Sequence, residues 1–205
     1  MISLFIDTSI FVPTIALVRD ESVLFYYHEE IRSDMSSKIL PIIDNALSES
    51  NISLKSIDKI FVVTGPGSFT GVRIGVTIAK TIAWSLNKKV IPISSLEYMA
   101  TTATNKEYLI SMIDARRGNV FGGIYDKDLN CLQNDSLISI DDLLRYKNND
   151  YELLSYDKIE NTIVPNPNVL KIIDKHLNDD GINPHNLKPN YLKLTEAEEN
   201  RLKND

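Results

Sequence analysis

Short apolar runs and helical stripes alternate along the first half of the chain. Residues 2–6, 14–18 and 23–27 are brief apolar runs rich in β-branched and aromatic side chains, separated by Asp7-Thr8-Ser9 and Arg19-Asp20-Glu21. This pattern predicts three strands joined by turns, an opening β-meander. Residues 36–48 then carry Ile39, Ile42, Ile43, Ala46 and Leu47 at helical spacing, with Leu40 widening the stripe. Pro41 lies inside that stretch, so the predicted helix begins near Lys38 or carries a kink. Residues 60–63 form a continuous apolar run, broken by Gly65-Pro66-Gly67. A helix is predicted over 71–86, capped by Ser68 or Thr70 and ended by Asn87-Lys88-Lys89, with a strand over 90–93. Strand, glycine loop, helix and strand in this order predict a βαβ crossover in an α/β protein.

The second half repeats the opening more faintly. A short helix over 95–104 leads to Asn105-Lys106-Glu107, a hinge between two lobes, 1–104 and 105–205. Strands are predicted over 108–113 and 120–125 around the turn 114–119, with a return strand over 131–140. That is a second meander, as expected of two related lobes. Beyond it the pattern suggests a helix over 141–146, strands over 151–156 and 162–164, a helix over 169–177 and a loop over 183–189.

The helix at 71–86 has more apolar surface than one sheet requires. Val72, Val76, Ala79, Ala83 and Leu86 form one row, and Ile74, Ile78 and Ile82 a second. Gly71, Gly75, Ala79 and Ala83 form a line of small residues along which another backbone can approach closely, whether the chain's own sheet or a partner. Two readings follow: a helix enclosed within its own fold, or one with a face on its sheet and a face on a partner chain.

The glycine loop 65–71 is not a P-loop, because no Gly-Lys-Ser/Thr follows, and its third glycine is misplaced for a dinucleotide fingerprint. It is either a tight, closely packed turn or an anion site at a helix N-terminus. Asp7-Thr8-Ser9 reads as an Asx-type turn. Strand, Asp-Thr turn, strand, turn and strand also resemble the opening of the sugar kinase/Hsp70/actin fold, where the first turn approaches a nucleotide phosphate.

Composition narrows the chemistry. The chain has 205 residues, 43% hydrophobic and 24% charged, with a formal charge of −6, as in an ordinary globular protein with a sizeable core. No basic run exceeds two residues, so if the chain works on RNA, another subunit is expected to supply most of the phosphate contacts. The start of the chain, with Asp7 and no basic flank, is not expected to be a signal peptide, and no run is long enough for a membrane span. The single cysteine, Cys131, suggests a reducing compartment and reads as buried packing. His28, His176 and His185 are scattered, and neither a metal pair nor a Ser-His-Asp arrangement is supported by spacing.

The segment GPGSFTGVRIG at 65–75, followed by VIPISSLEYMA at 90–100, closely resembles the TsaB (YeaZ) family. DARRGNVF at 114–121 and the closing PNYLK at 189–193 resemble it too. At MSSKILP, residues 35–41, Met35 and Ser37 depart from the family's His and Glu, so a family role of that His does not carry over. The resemblance implies an actin-like ATPase fold: two lobes, mixed sheets, meanders followed by crossover helices.

It further implies a non-catalytic subunit of the bacterial machinery that makes N6-threonylcarbamoyladenosine at tRNA position 37. The catalytic partner would be TsaD and the associated ATPase TsaE. The protein would be cytoplasmic, would meet tRNA only through the complex, and would form a homodimer when alone. The expected partner surface is Ile39, Ile42, Ile43, Val72, Gly75, Val76, Ile78, Ala79, Ile82 and Ala83. The expected anion or nucleotide contacts are Asp7, Thr8, Gly65, Gly67, Ser68, Arg73, Arg116 and Arg117. No metal or cofactor of its own is expected, with ATP or ADP at the TsaD interface. The rival readings are a stand-alone small ATPase or kinase of the same fold and a nucleotide-binding regulatory module without turnover.

Overall fold

In the computed structural model, which describes residues 1–145 and 150–192, two sheets stand side by side. The first contains β1 (Ile2–Asp7), β2 (Thr14–Arg19), β3 (Ser22–His28), β4 (Lys59–Val63) and β5 (Ile91–Ile93), in the order β3-β2-β1-β4-β5. The meander is antiparallel, and β4 and β5 add in parallel through helices α1 (Met35–Glu49) and α2 (Phe69–Ser85). The second sheet holds β6 (Tyr108–Arg116), β7 (Asn119–Asp126), β8 (Cys131–Ser139) and β9 (Tyr151–Leu154), in the order β8-β7-β6-β9. It repeats the first four strands of its partner, antiparallel meander first and parallel strand last.

The first sheet is covered on both faces, which is why its inner strands read as unbroken apolar runs. Leu4, Ile6, Ile15, Leu17, Ile60 and Val62 pack in one cluster with α1 and α2. Phe5, Ala16, Val18, Phe61 and Val63 pack in another with α3 (Ser95–Met99), α5 (Val169–Lys175) and Leu109, Tyr125 and Leu154 of the second sheet. The outer face of that second sheet rests on α4 (Ile140–Leu144) through Leu143.

Helix α1 runs through Pro41 instead of starting after it. The hydrogen bond lost there belongs to the carbonyl of exposed Ser37, which water can satisfy. Helix α3 is shorter than its sequence suggests. The hydroxyls of Thr101 and Thr102 donate back to the carbonyls of Tyr98 and Met99 and accept from the amides of Asn168 and Asn166, which ends the helix and ties it to the α5 entrance. The stretch 162–164 forms only an isolated bridge from Ile163 to Leu154. Cys131 is exposed rather than buried, because it opens β8 at a sheet edge. Helix α4 ends at Leu144, and residue 146 of the expected 141–146 helix lies outside the described residues.

After α5 the chain returns to the first lobe. Ile182 bridges Val90, Leu187 joins the α1–α2 core, and the amide of Asn190 donates to the carbonyl of Thr64 at 2.7 Å.

Candidate functional site

Two features of the first lobe meet at the N-terminus of α2: an interlobe cleft and an open face on the α1–α2 pair. The cleft is built from the first turn. Asp7 closes β1 and its carboxylate accepts from the amide of Ser9 at 2.8 Å, the Asx-type turn read from the sequence. Asp7 is buried, and that desolvation pushes its carboxyl up to about 6, against hydrogen bonding from Ser9. The Thr8 hydroxyl donates to the carbonyl of Gly71 at 2.7 Å. The glycine loop lies directly on this turn: a Cβ on Gly67 would strike the backbone of Ser9, and one on Gly75 would lie 2.5 Å from the Thr8 hydroxyl oxygen. The tight-packing reading of the loop therefore holds. Ser68 caps α2, its hydroxyl accepting from the amide of Gly71 at 3.2 Å.

Above this floor is a cavity of about 600 Å³. One wall is Ser9, Phe11 and the α2 entrance, the second is the segment 31–36, and the third comes from the other lobe through Ile113, Asp114, Phe121, Tyr156 and Asp157. The rings of Phe11 and Tyr156 meet edge to face with centroids 6.5 Å apart.

The residues expected to contact an anion do not assemble there. Gly67 and Ser68 line the cavity, while Asp7, Thr8 and Gly65 are buried beneath it. Arg73 turns away: its guanidinium carbon lies 3.7 Å from the centroid of the Phe69 ring, and its Nε donates to the Tyr191 hydroxyl at 2.6 Å. Arg116 and Arg117 are exposed on the β6–β7 turn with left-handed backbones, and neither lines the cavity. Asp114 accepts from the amide of Arg116 at 2.7 Å instead of pairing with a guanidinium.

The α1–α2 face is also rearranged relative to expectation. Ile39, Ile43, Val72, Gly75, Val76, Ile78, Ala79, Ile82 and Ala83 are all buried in the chain's own core, and Ile42 is half-buried. The small-residue line faces β1 and its turn, and Ile78 and Ile82 share a cluster with Ile39 and Ile43 of α1. Both apolar rows are thus largely used internally. What remains open is a shallow groove where Ser36 and Leu40 of α1 face Phe69, Arg73, Ile74 and Thr77 of α2. Leu40 is 54% exposed, Phe69 42%, and Trp84 further along α2 64%.

A polar seam joins the lobes on the other side. Ser94, the N-cap of α3, donates to one oxygen of Asp135 on β8, and the Tyr125 hydroxyl donates to the other at 2.6 Å. His176, the C-cap of α5, lies between two carboxylates, with Nε2 2.9 Å from Glu97 and Nδ1 2.7 Å from Asp179. Burial opposes its charge, but the two hydrogen bonds and carboxylate charges outweigh burial and raise its pKa. Neither cluster is visible in the sequence, because its members are dozens of positions apart and none falls in a motif. Among the described residues, no group of three or more His, Cys, Asp or Glu is placed to hold a metal, and no helix is long and apolar enough to cross a membrane.

Duplicated meanders, each continued by a parallel strand, with a cleft between the lobes, define the actin-like class. The family model described as "TsaD: tRNA N6-adenosine threonylcarbamoyltransferase" matches residues 29–188. The chain is 34% identical over 223 residues to the tRNA threonylcarbamoyladenosine biosynthesis protein TsaB of Bacillus subtilis (strain 168), covering 97% of this chain and 96% of that protein. It is 36% identical over 128 residues to TsaB of Escherichia coli (strain K12), covering 61% and 55% of the two chains. The solved structure of YeaZ from Pseudomonas aeruginosa has the same fold, with a TM-score of 0.78 at 21% identity over 93% of this chain and 99% of that one. The chain belongs to the TsaB (YeaZ) family.

Proposed function

We propose that this chain is a non-catalytic subunit of the complex that makes N6-threonylcarbamoyladenosine at tRNA position 37, and that it binds and supports TsaD. The observation that carries the reading is the groove on the α1–α2 pair, where Leu40, Phe69 and Ile74 present apolar surface around Arg73. Exposed apolar surface on an otherwise well-filled helix pair is a common mark of a protein contact. A family model for TsaD matches most of this chain, so a TsaD protein would carry a corresponding helix pair. Two like helix pairs can pack across a pseudo-twofold axis, and the same geometry would let two copies of this chain pair when TsaD is absent.

The contact surface is the outward line of Leu40, Phe69, Arg73, Ile74, Thr77 and Trp84, not the buried rows named from the sequence. In this reading TsaE joins the same cytoplasmic complex, tRNA is contacted mainly through the other subunits, and any ATP or ADP lies at the TsaD interface. The chain's formal charge of −6 favours delegating phosphate contacts to partners.

Reconstitution tests this. Threonylcarbamoyl transfer to tRNA by TsaD and TsaE, with the threonylcarbamoyl-adenylate donor supplied by a TsaC-type enzyme, is expected to require this chain, which alone neither modifies tRNA nor hydrolyses ATP. Undiminished transfer without it would refute the proposal, and ATP turnover by the isolated chain would favour the small-ATPase reading.

A further inference from the structure

Among the described residues that line the α1–α2 groove, Arg73 is the only cation. It is held from two directions. Its guanidinium carbon lies 3.7 Å from the centroid of the Phe69 ring, and its Nε donates to the Tyr191 hydroxyl at 2.6 Å. The Tyr191 ring stacks on Phe69 in turn, with centroids 5.2 Å apart. Tyr191 arrives on an anchored segment: Leu187 is buried in the α1–α2 core, and the Asn190 amide donates to the Thr64 carbonyl. The terminal amino groups of Arg73 are left over. Among the described residues Arg73 forms no ion pair, and its hydrogen bond leaves from Nε alone.

A loosely held arginine would carry its charge out to water when a partner covered the groove. Arg73 is fixed beside Leu40, Phe69 and Ile74, the apolar surface such a partner would cover. Covering it takes a charge and its unused N–H donors out of water, which costs free energy unless the partner brings acceptors and the opposite charge. A carboxylate meets a guanidinium fork with two parallel hydrogen bonds. A fork fixed in advance also loses little side-chain freedom on binding. A polyphosphate matches poorly, because one guanidinium balances one carboxylate and no second cation stands by. A second copy seated groove on groove matches poorly too, because no Asp or Glu is among the described residues lining the groove.

We propose that Arg73 is the specificity-determining residue of the groove, selecting a partner that presents an aspartate or glutamate carboxylate to its terminal amino groups. Phe69 and Tyr191 are its positioning residues. This rests on the groove being the TsaD contact; the TsaD surface seated there is then acidic opposite Arg73.

The test is calorimetric titration of TsaD, without nucleotide, with the parent chain, Arg73→Gln, Arg73→Glu and Tyr191→Phe, each variant first shown to be folded by circular dichroism. Arg73→Gln is expected to weaken binding by roughly tenfold or more. Arg73→Glu sets like charges together and is expected to weaken it further, with the gap between the two variants narrowing as NaCl is added. Tyr191→Phe keeps the ring on Phe69 and removes the acceptor. It is expected to weaken binding by roughly threefold and to add nothing in the Arg73→Gln background, since it acts through Arg73.

Equal weakening by Arg73→Gln and Arg73→Glu at every salt concentration would mean neutral acceptors on the partner and would overturn the carboxylate. Undiminished binding by Arg73→Gln would overturn the role of Arg73 and leave the TsaD contact standing. An effect of Arg73→Gln seen only with Mg-ATP present would assign the guanidinium to a phosphate, and an equal loss of self-association by sedimentation would assign it to a contact between copies; either overturns the proposal. No complex with the parent would remove the TsaD contact itself, and this proposal with it.

Discussion

Thr8 and Gly71 hold each other from both sides. The Thr8 hydroxyl donates to the Gly71 carbonyl at 2.7 Å, and a Cβ on Gly71 would fall on the Thr8 carbonyl oxygen. The first turn and the α2 entrance are thereby locked together, which fixes the floor of the cleft and the pitch of the helix that borders the groove.

Gly71→Ala is accordingly expected to destabilise the fold by about 2–4 kcal/mol, as other forced overpacking does. In a chain of this size that lowers the thermal midpoint by roughly 6–12 °C. Gly118 is the control: its backbone is left-handed but nothing lies within 4 Å of a Cβ there. Gly118→Asn is expected to change the midpoint far less. Equal losses at the two positions would refute the close-packing account.

Asp7 gives a pH-dependent test. Burial raises its folded-state pKa from 3.8 to about 6, so the folded chain holds the proton more tightly than the unfolded chain. That contribution is fully present below about pH 3.8 and is lost as pH rises through about 6. Asp7→Asn keeps an oxygen acceptor for the Ser9 amide and removes the buried charge. It is expected to be more stable than the parent at pH 7.5 by roughly 1–3 kcal/mol and close to it at pH 4, measured by urea unfolding. A variant less stable at both pH values would contradict the assigned cause.

His176 acts in a higher window. Its folded pKa is raised above the ordinary 6.5 by Glu97 and Asp179, against the opposing effect of burial. The resulting stability is present below 6.5 and is lost as pH rises through the raised value. The parent is expected to lose stability across that rise, and His176→Gln is expected to lack this component. An unchanged pH slope in the variant would remove His176 from the interlobe seam's energetics.

The order of elements was legible because periodicity and turn chemistry agreed. The opening meander, the glycine loop and the α2 stripe all appear where the pattern places them, and Ser68 caps α2 as its position suggests. Where tertiary contacts decide, the sequence was silent. The end of α3 is set by Thr101 and Thr102, which bond forward to the α5 entrance. For α2 the sequence leaves two readings open, a helix enclosed in its own fold or one with a face to spare. Of its two apolar rows, α1 and the sheet between them bury most residues and leave Ile74 half-buried, so that the open surface is a narrower groove marked by Leu40 and Phe69. Arg73, Arg116 and Arg117 were candidate anion ligands by type, and only the fold shows the first stacked on Phe69 and the others turned outward. The cleft's carboxylates come from segments too distant in sequence to be grouped beforehand.

The proposed partner surface separates two kinds of substitution. Ala79→Arg inserts a charge where the side chain is fully buried and is expected to prevent folding. Leu40→Arg and Thr77→Arg alter only the open groove and are expected to leave circular dichroism and the thermal midpoint near those of the parent.

The most direct test of the central claim is calorimetric titration of TsaD with the parent chain, Leu40→Arg and Thr77→Arg. A saturable complex is expected with the parent, and at least a roughly tenfold loss of affinity in each folded variant, the scale expected for a disrupted interface anchor. No complex with the parent, or undiminished binding by both variants, would contradict it.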